Sequence, residues 1–440
     1  MVKAYIEKIS GEKPAVILGC LKGWGLKGGL AVFDQAIFSG ANFIVSIILA
    51  KWLTSKDFGE FAIGLAIITF FMQVYTSFTL EPMSVLGPSG YRDRLVPYLM
   101  GQVWLLFLLS VPLSMLLGLI VLVAQLLNSN SDTSSVLLFS AIGLPFILLP
   151  LLMRRLFYVL LKPGFALAGS VIYFSGLLLI FYFAKRFGIL SGANSILIVS
   201  LASLISGLIM FLFLQNKGSP YERIDLMTIL VETWSFGKWL VISGVLIGLA
   251  TQSQVYLAGI LSRTEDAGVV RILQTFIQPM MLTSTAFSAL ATPIITSDFV
   301  LRDYQSMGRK IFLFTLLLGG TALAYECLLV LFGSSLDNVL FDGKYSAYTN
   351  QIPIWGFVPV IWSLFWGGVI ALQAIQKPYV MVIISGSWAF FSLASALIFI
   401  PVLGVWGATI SIVAGFSAAF VTTWILYWSM VYRKYILVKS

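Results

Sequence analysis

The sequence predicts an all-α polytopic membrane protein: about twelve transmembrane helices in two six-helix bundles, related by a parallel pseudo-repeat, around a central cavity. Three observations predict it. Of 440 residues, 59% are hydrophobic and only 10% charged, with a mean hydropathy of +0.98; a soluble chain is typically about 25% charged. Apolar runs of roughly twenty residues recur from end to end, each long enough as a helix to cross about 30 Å of hydrocarbon. These runs do not alternate polar with apolar residues, as the strands of a transmembrane barrel do.

Twelve spans are read at 29–50, 59–80, 97–123, 136–158, 164–184, 191–214, 236–261, 267–290, 309–333, 352–375, 378–400 and 404–430. They divide the chain into a cytoplasmic amino-terminal segment (1–28), a first bundle (29–214), a polar cytoplasmic linker (215–235), a second bundle (236–430) and a cytoplasmic tail (431–440). With alternating spans and the amino terminus inside, 20 Lys and Arg fall in cytoplasmic segments and six outside, with Arg271 left within span 8. That asymmetry predicts both termini in the cytoplasm. The net charge of +9 is read the same way, as topology and not as a nucleic-acid partner.

The halves resemble each other. "AKWLTSKDFGEFAIG" (50–64) aligns with "AGILSRTEDAGVVRI" (258–272) through one inserted residue, after which Gly59 matches Gly268 and Thr76 matches Thr285, 209 residues on. Pro82 and Pro293 fall two residues out of that step. A six-plus-six parallel repeat is a common transporter plan.

Several chemistries are excluded. With no histidine there is no His-based proton relay, His/Cys zinc site or Ser-His-Asp triad, and no G-x-x-x-x-G-K-[ST] loop for ATP hydrolysis. No metal or cofactor is expected. Cys20 and Cys327 lie far apart and read as small buried apolar residues, not a disulfide. The amino terminus does not read as a cleaved signal peptide.

The polar residues inside the spans are the functional signal. Gln35, Ser39, Asn42 and Ser46 share one face of span 1; Thr69, Gln73 and Thr76 one face of span 2; Arg271, Gln274, Gln278 and Thr285 one face of span 8. Span 7 carries Ser243 and "TQSQ" (251–254), which includes Gln254. A polar group at bilayer depth needs a partner or water. Single Ser, Thr or Gln residues serve helix–helix hydrogen bonds, but four stripes on repeat-related spans favour a shared hydrated cavity.

Among ionisable groups, Arg271 aligns with Gln274 and Gln278 as an inward cation, against the alternative of snorkelling to the surface. Asp34 is either an interfacial cap or the partner of a cation across the cavity, and is, with Glu326, a candidate for ion coupling. Glu326, alone in span 9, is open between an ion-coupling carboxylate and a neutral buried carboxyl. Arg154 and Arg155, near Tyr158 and Lys162, offer phosphate forks on the cytoplasmic side or act as positive-inside anchors. Glu81 is placed to pair with Arg92 or Arg94, or to shape a gate.

"FDQAIFSGANFIVSIILAKWLTSKDFGEFA", "LEPMSVLGP" and "RRLFYVLLKPGFA" resemble the polysaccharide-exporter branch of the multidrug/oligosaccharidyl-lipid/polysaccharide (MOP) transporter superfamily, and within it the O-antigen (Wzx-type) flippases. The resemblance implies a bacterial inner-membrane protein that carries an undecaprenyl-pyrophosphate-linked oligosaccharide to the periplasmic leaflet by alternating access, for surface polysaccharide synthesis. It implies a cavity lined by spans 1, 2, 7 and 8, with Arg271 holding pyrophosphate or acidic sugar and Asp34 an acidic partner nearby. Expected partners are the lipid-linked substrate, membrane lipids, and a polysaccharide polymerase with its chain-length machinery. The alternatives are a multidrug cation antiporter of the same superfamily and a membrane polysaccharide polymerase; the short, mostly neutral outer loops weigh against the polymerase.

Overall fold

The computed structural model describes residues 14–127, 134–215, 224–375 and 377–436. Residues 1–13 of the amino-terminal segment, 216–223 of the linker and 437–440 of the tail therefore lie outside the described residues. The described chain is helical throughout, and eleven helical segments are long and apolar enough to cross a membrane.

Eleven of the twelve expected spans are found as segments of that kind, most of them longer than the apolar run that announces them. Span 1 is the helix Pro14–Trp52 and span 7 the helix Leu226–Leu261. Span 2 starts at Ser55, where Thr54 caps the helix by accepting from the Asp57 amide, and continues through a π-helical turn, Thr76–Leu80, into Glu81–Gly90. Pro82, which has no amide hydrogen to donate to the preceding turn, lies just past that π-helical turn.

Span 8 is the exception. It is two rods, Thr264–Thr275 and Gln278–Val300, not one continuous helix. The cause is Pro279, which has no amide hydrogen and whose ring crowds the carbonyl four residues earlier, at Thr275. The Phe276 carbonyl freed at the break accepts from the Tyr325 hydroxyl of span 9 at 2.7 Å.

The pseudo-repeat is visible in the helix boundaries. Trp52 and Leu261 end spans 1 and 7, Ser55 and Thr264 begin spans 2 and 8, and Leu95 and Tyr304 begin spans 3 and 9; each pair is 209 residues apart. The halves meet along a seam of small residues. Gly237, Gly244 and Gly248 of span 7 face Pro82, Ser77 and Phe70 of span 2, so closely that a Cβ on Gly248 would come within 2.7 Å of the Phe70 ring. Small residues let helix backbones approach in a membrane, where dispersion replaces the hydrophobic drive.

At the side away from the chain termini, hereafter the far side, Gly59 abuts Thr264 and Gly268 abuts Phe58 and Gly59. The far side is shut. On the side of the termini, a cleft of about 320 Å³ separates span 1 from the second rod of span 8. Cys327 is exposed on span 9 and not buried as expected, because it lies on that helix's outward face beside Leu328 and Leu331.

Candidate functional site

Two neighbouring spaces carry the polar stripes. The larger, about 510 Å³, is walled by span 2 of the first half and spans 7, 8, 10, 11 and 12 of the second. It extends from Thr251 and Arg271 near the far side to Glu81, Gln373 and Met381 near the termini. The smaller is the cleft, lined by Gln35, Phe38, Ser39, Asn42, Leu151 and Arg154 on one side and by Gln278, Met281, Leu282 and Thr285 on the other. Gln278 and Met281 line both, so the second rod of span 8 is the partition between them.

Span 7 shows how one helix serves three neighbours. Leu240, Ser243, Ile247 and Thr251 form the face that lines the larger cavity. The glycines form the face against span 2. Gln254 is on a third face: it is fully buried and donates to the Ala250 carbonyl at 3.0 Å and to Ser392 Oγ of span 11 at 2.5 Å. Gln254 is thus a dry helix-to-helix link and not a cavity residue.

Arg271 is the principal cation of the larger cavity. It is 7% exposed, and the structure gives it a single side-chain partner, Gln274 Oε1 at 3.4 Å from Nη1. Gln274 is itself anchored by donating to the Thr251 carbonyl at 3.1 Å. Arg271 Nε has no partner, and among the described residues no carboxylate forms an ion pair with it. A buried charge without a counter-ion is costly to keep.

The first half holds the opposite arrangement. Asp34 is fully buried, and both its oxygens accept from Arg154, through Nε at 3.1 and 3.2 Å and Nη2 at 2.8 Å. Tyr158 and Ser170 hydroxyls also donate to Asp34. Arg154 additionally bonds Gln35 Oε1 at 3.1 Å and lies 3.9 Å over the Phe38 ring. Two expectations are corrected here. Asp34 lines neither space and pairs within its own half, not across the cavity. Arg154 is no exposed docking cation, since its guanidinium fork is bound to Asp34 at the cleft wall. Arg155 is only half-buried and interacts with the charge of Glu81.

The remaining expected site residues sort as follows. Gln73 lines the larger cavity beside Ser77 and Glu81, whereas Thr76 lines neither space because the π turn presents Ser77 in its place. Gln35 and Asn42 line the cleft and not the larger cavity; Asn42 accepts from Tyr173 at 3.1 Å. Glu326 lies outside both spaces, half-buried against Gly356, with Oε2 unpartnered.

The larger cavity also has an aromatic wall that the polar stripes do not announce. Trp362 and Trp366 of span 10 stack at 4.2 Å between ring centroids, and Trp388 of span 11 packs on Phe416 of span 12 at 4.6 Å. A signal was present: Trp362, Trp366, Val369 and Gln373 fall at helical spacing on one face, as do Met381, Ser385 and Trp388. A cavity with apolar and aromatic walls and a few fixed polar groups is the usual form of a small-molecule site.

Near the far side, Lys344 lies between spans 9 and 10. Burial holds its ammonium below the usual lysine range, partly offset by the charge of Asp57.

No family model matches the chain, and no curated protein matches it in sequence. Solved structures do. One described as the inward-facing conformation of a multidrug resistance MATE family transporter of the MOP superfamily superposes with a TM-score of 0.74 at 13% identity, over 92% of this chain and 98% of that one. One described as the outward-facing conformation of such a transporter gives 0.62 at 13% identity, over 93% and 95%. A MOP superfamily transporter from Pyrococcus furiosus, described as having a binding pocket of reverse polarity that suggests a different function, gives 0.63 at 16% identity, over 91% and 94%. The chain therefore has the two-bundle fold of these MOP superfamily transporters.

Proposed function

We propose that the protein is an alternating-access transporter that moves a lipid-linked oligosaccharide, with an undecaprenyl-pyrophosphate-type head, from the cytoplasmic to the outer leaflet of a bacterial inner membrane. The Lys and Arg bias makes the side of the termini cytoplasmic, so the open cleft faces the leaflet on which such a head group is made. One observation carries the choice of an anionic cargo: Arg271, buried in the cavity wall without a counter-ion.

The physical task fits the architecture. A pyrophosphate-sugar head cannot cross hydrocarbon unaided, because desolvating its charges costs too much. A hydrated chamber removes that barrier, while the cleft between span 1 and the second rod of span 8 leaves room for the lipid tail to remain in the bilayer. An inside-negative potential favours outward movement of an anion by about 2.3 kcal/mol per charge per 100 mV.

A multidrug cation antiporter is the second reading. It is favoured by the aromatic wall and by the multidrug description of two of the solved structures. It requires a cavity carboxylate free to exchange a cation; Asp34 is bound to Arg154, Glu81 faces the charge of Arg155, and Glu326, with Oε2 unpartnered, lies outside both spaces. The Pyrococcus furiosus structure offers a precedent for pocket polarity diverging within this fold.

The test is flipping of a fluorescent polyprenyl-pyrophosphate oligosaccharide in proteoliposomes, by the wild type and by Arg271→Glu. We expect the variant to fold and to lose flipping. Undiminished flipping by Arg271→Glu, or efflux of lipophilic cations with no flipping by the wild type, would reject the anionic assignment.

A further inference from the structure

We propose that the short loop between spans 9 and 10 is a latch that holds the far side shut, by seating Lys344 in the carbonyl end of span 1. The proposal depends on alternation between two open states, not on the identity of the cargo. The helix of span 9 ends at Phe341, and Asp342 and Gly343 turn the chain with φ of 55° and 75°. This left-handed turn aims Lys344 across to the other half of the molecule. There Lys344 Nζ donates to the carbonyls of Ala50 at 2.9 Å and Leu53 at 2.6 Å. Tyr345 adds a bond from its hydroxyl to the Ala50 carbonyl at 3.4 Å, and Lys51 pairs with Asp342 at 2.7 Å.

The contact is strong yet reversible for one reason. The last carbonyls of a helix have no partner within it and carry the negative end of its dipole. A lysine ammonium satisfies them well, and when it withdraws, water at the membrane surface replaces it without leaving a buried orphan group. All these bonds join the first half to the second, at the side where the Gly59–Gly268 seam is closed. Opening the far side separates span 1 from span 9 and must break them. The Lys51–Asp342 pair is exposed on both sides, at 42% and 63%, and contributes little. Lys344 therefore carries the latch.

The experiment measures far-side separation by pulsed electron-spin distances, in nanodiscs without substrate. Spin labels at Phe187→Cys and Val339→Cys, both exposed on the far side of opposite halves, are placed in a background with Cys20→Ser and Cys327→Ser. Lys344→Met keeps the aliphatic stem and removes the donors. We expect it to raise the ratio of long to short distances by roughly tenfold, the scale of lost charged hydrogen bonds. Lys51→Ala should change the ratio less than about twofold, and Lys344→Arg should restore most of the short population. A distance distribution unchanged by Lys344→Met, in protein of normal melting temperature, would overturn the latch while leaving the cargo assignment standing. Loss of flipping without any change of distance would also overturn it.

Discussion

Gly59 and Gly268 face one another across the closed side of the molecule: a Cβ on Gly268 would stand 3.1 Å from the amide nitrogen of Gly59. The two are 209 residues apart and occupy matching positions in the repeat, so the contact is self-complementary in the sense of a two-fold interface. Each half brings its own glycine to the pseudo-axis, and the far-side seam closes because neither carries a side chain.

Gly59→Ala is expected to be the more damaging of the two substitutions. Its Cβ would meet the backbone carbonyl of Thr264, which cannot rotate away, whereas in Gly268→Ala the Phe58 ring, 3.0 Å distant, can shift. A Cβ at Gly268 also meets the Gly59 backbone, but at 3.1 Å, well beyond the separation of a Gly59 Cβ from the Thr264 oxygen. We therefore expect Gly59→Ala to cost about 1–3 kcal/mol of the closed state and to lengthen far-side distances, with Gly268→Ala a smaller effect in the same direction. Pulsed electron-spin distances on both variants check the order.

Removing one member of the Asp34–Arg154 pair strands the other in a buried site. Arg154→Ala is expected to destabilise by about 3–5 kcal/mol. The double variant Asp34→Asn with Arg154→Gln removes both charges and should be appreciably more stable than Arg154→Ala alone. Thermal unfolding of Asp34→Asn, Arg154→Gln and the double variant in one detergent completes the cycle.

Two glutamines twenty residues apart separate site from scaffold. Gln274 supports Arg271 and is held by the Thr251 carbonyl, so Gln274→Leu should reduce flipping about tenfold or more with little loss of stability. Gln254 only ties span 7 to Ser392, so Gln254→Leu should lower the melting temperature and leave flipping near the wild-type rate. Reversal of that pattern in the proteoliposome assay would move the site to the span 7–span 11 interface.

Pro279→Ala gives span 8 back an amide hydrogen and relieves the crowding at the Thr275 carbonyl. Fusion of the two rods is expected, with loss of the Tyr325 bond to Phe276. The amide of residue 279 should become slow in hydrogen–deuterium exchange, and transport should slow several-fold.

The fold was legible because apolar runs are properties of single segments, and the 209-residue step of the repeat was legible at Gly59–Gly268, whereas the helix boundaries that keep that step were not. The site was legible only in part. Periodicity shows that Gln35, Asn42, Gln254 and Arg271 share faces with other polar residues, but not what each face meets. Span 7 is enclosed on three sides, so its polar groups divide between a cavity and a dry contact, and Gln254 fell on the dry side. Asp34 met a cation, but on span 4 of its own half, a pairing 120 residues distant that no local pattern encodes. Trp362, Trp366 and Trp388 were passed over because an aromatic on an apolar helix reads as lipid-facing until neighbouring spans are seen to curve around it.

The break after Thr275 gives the molecule two mechanical parts where the repeat would provide one. The upper rod of span 8 is clamped to span 2 at Gly59, while the lower rod borders the cleft and carries Gln278 and Met281 between the two chambers. Phe276 and Ile277, between the rods, belong to neither helix, so the clamp and the partition sit on separate rigid pieces. The wall between the chambers is thus uncoupled in its backbone from the rod that carries Arg271.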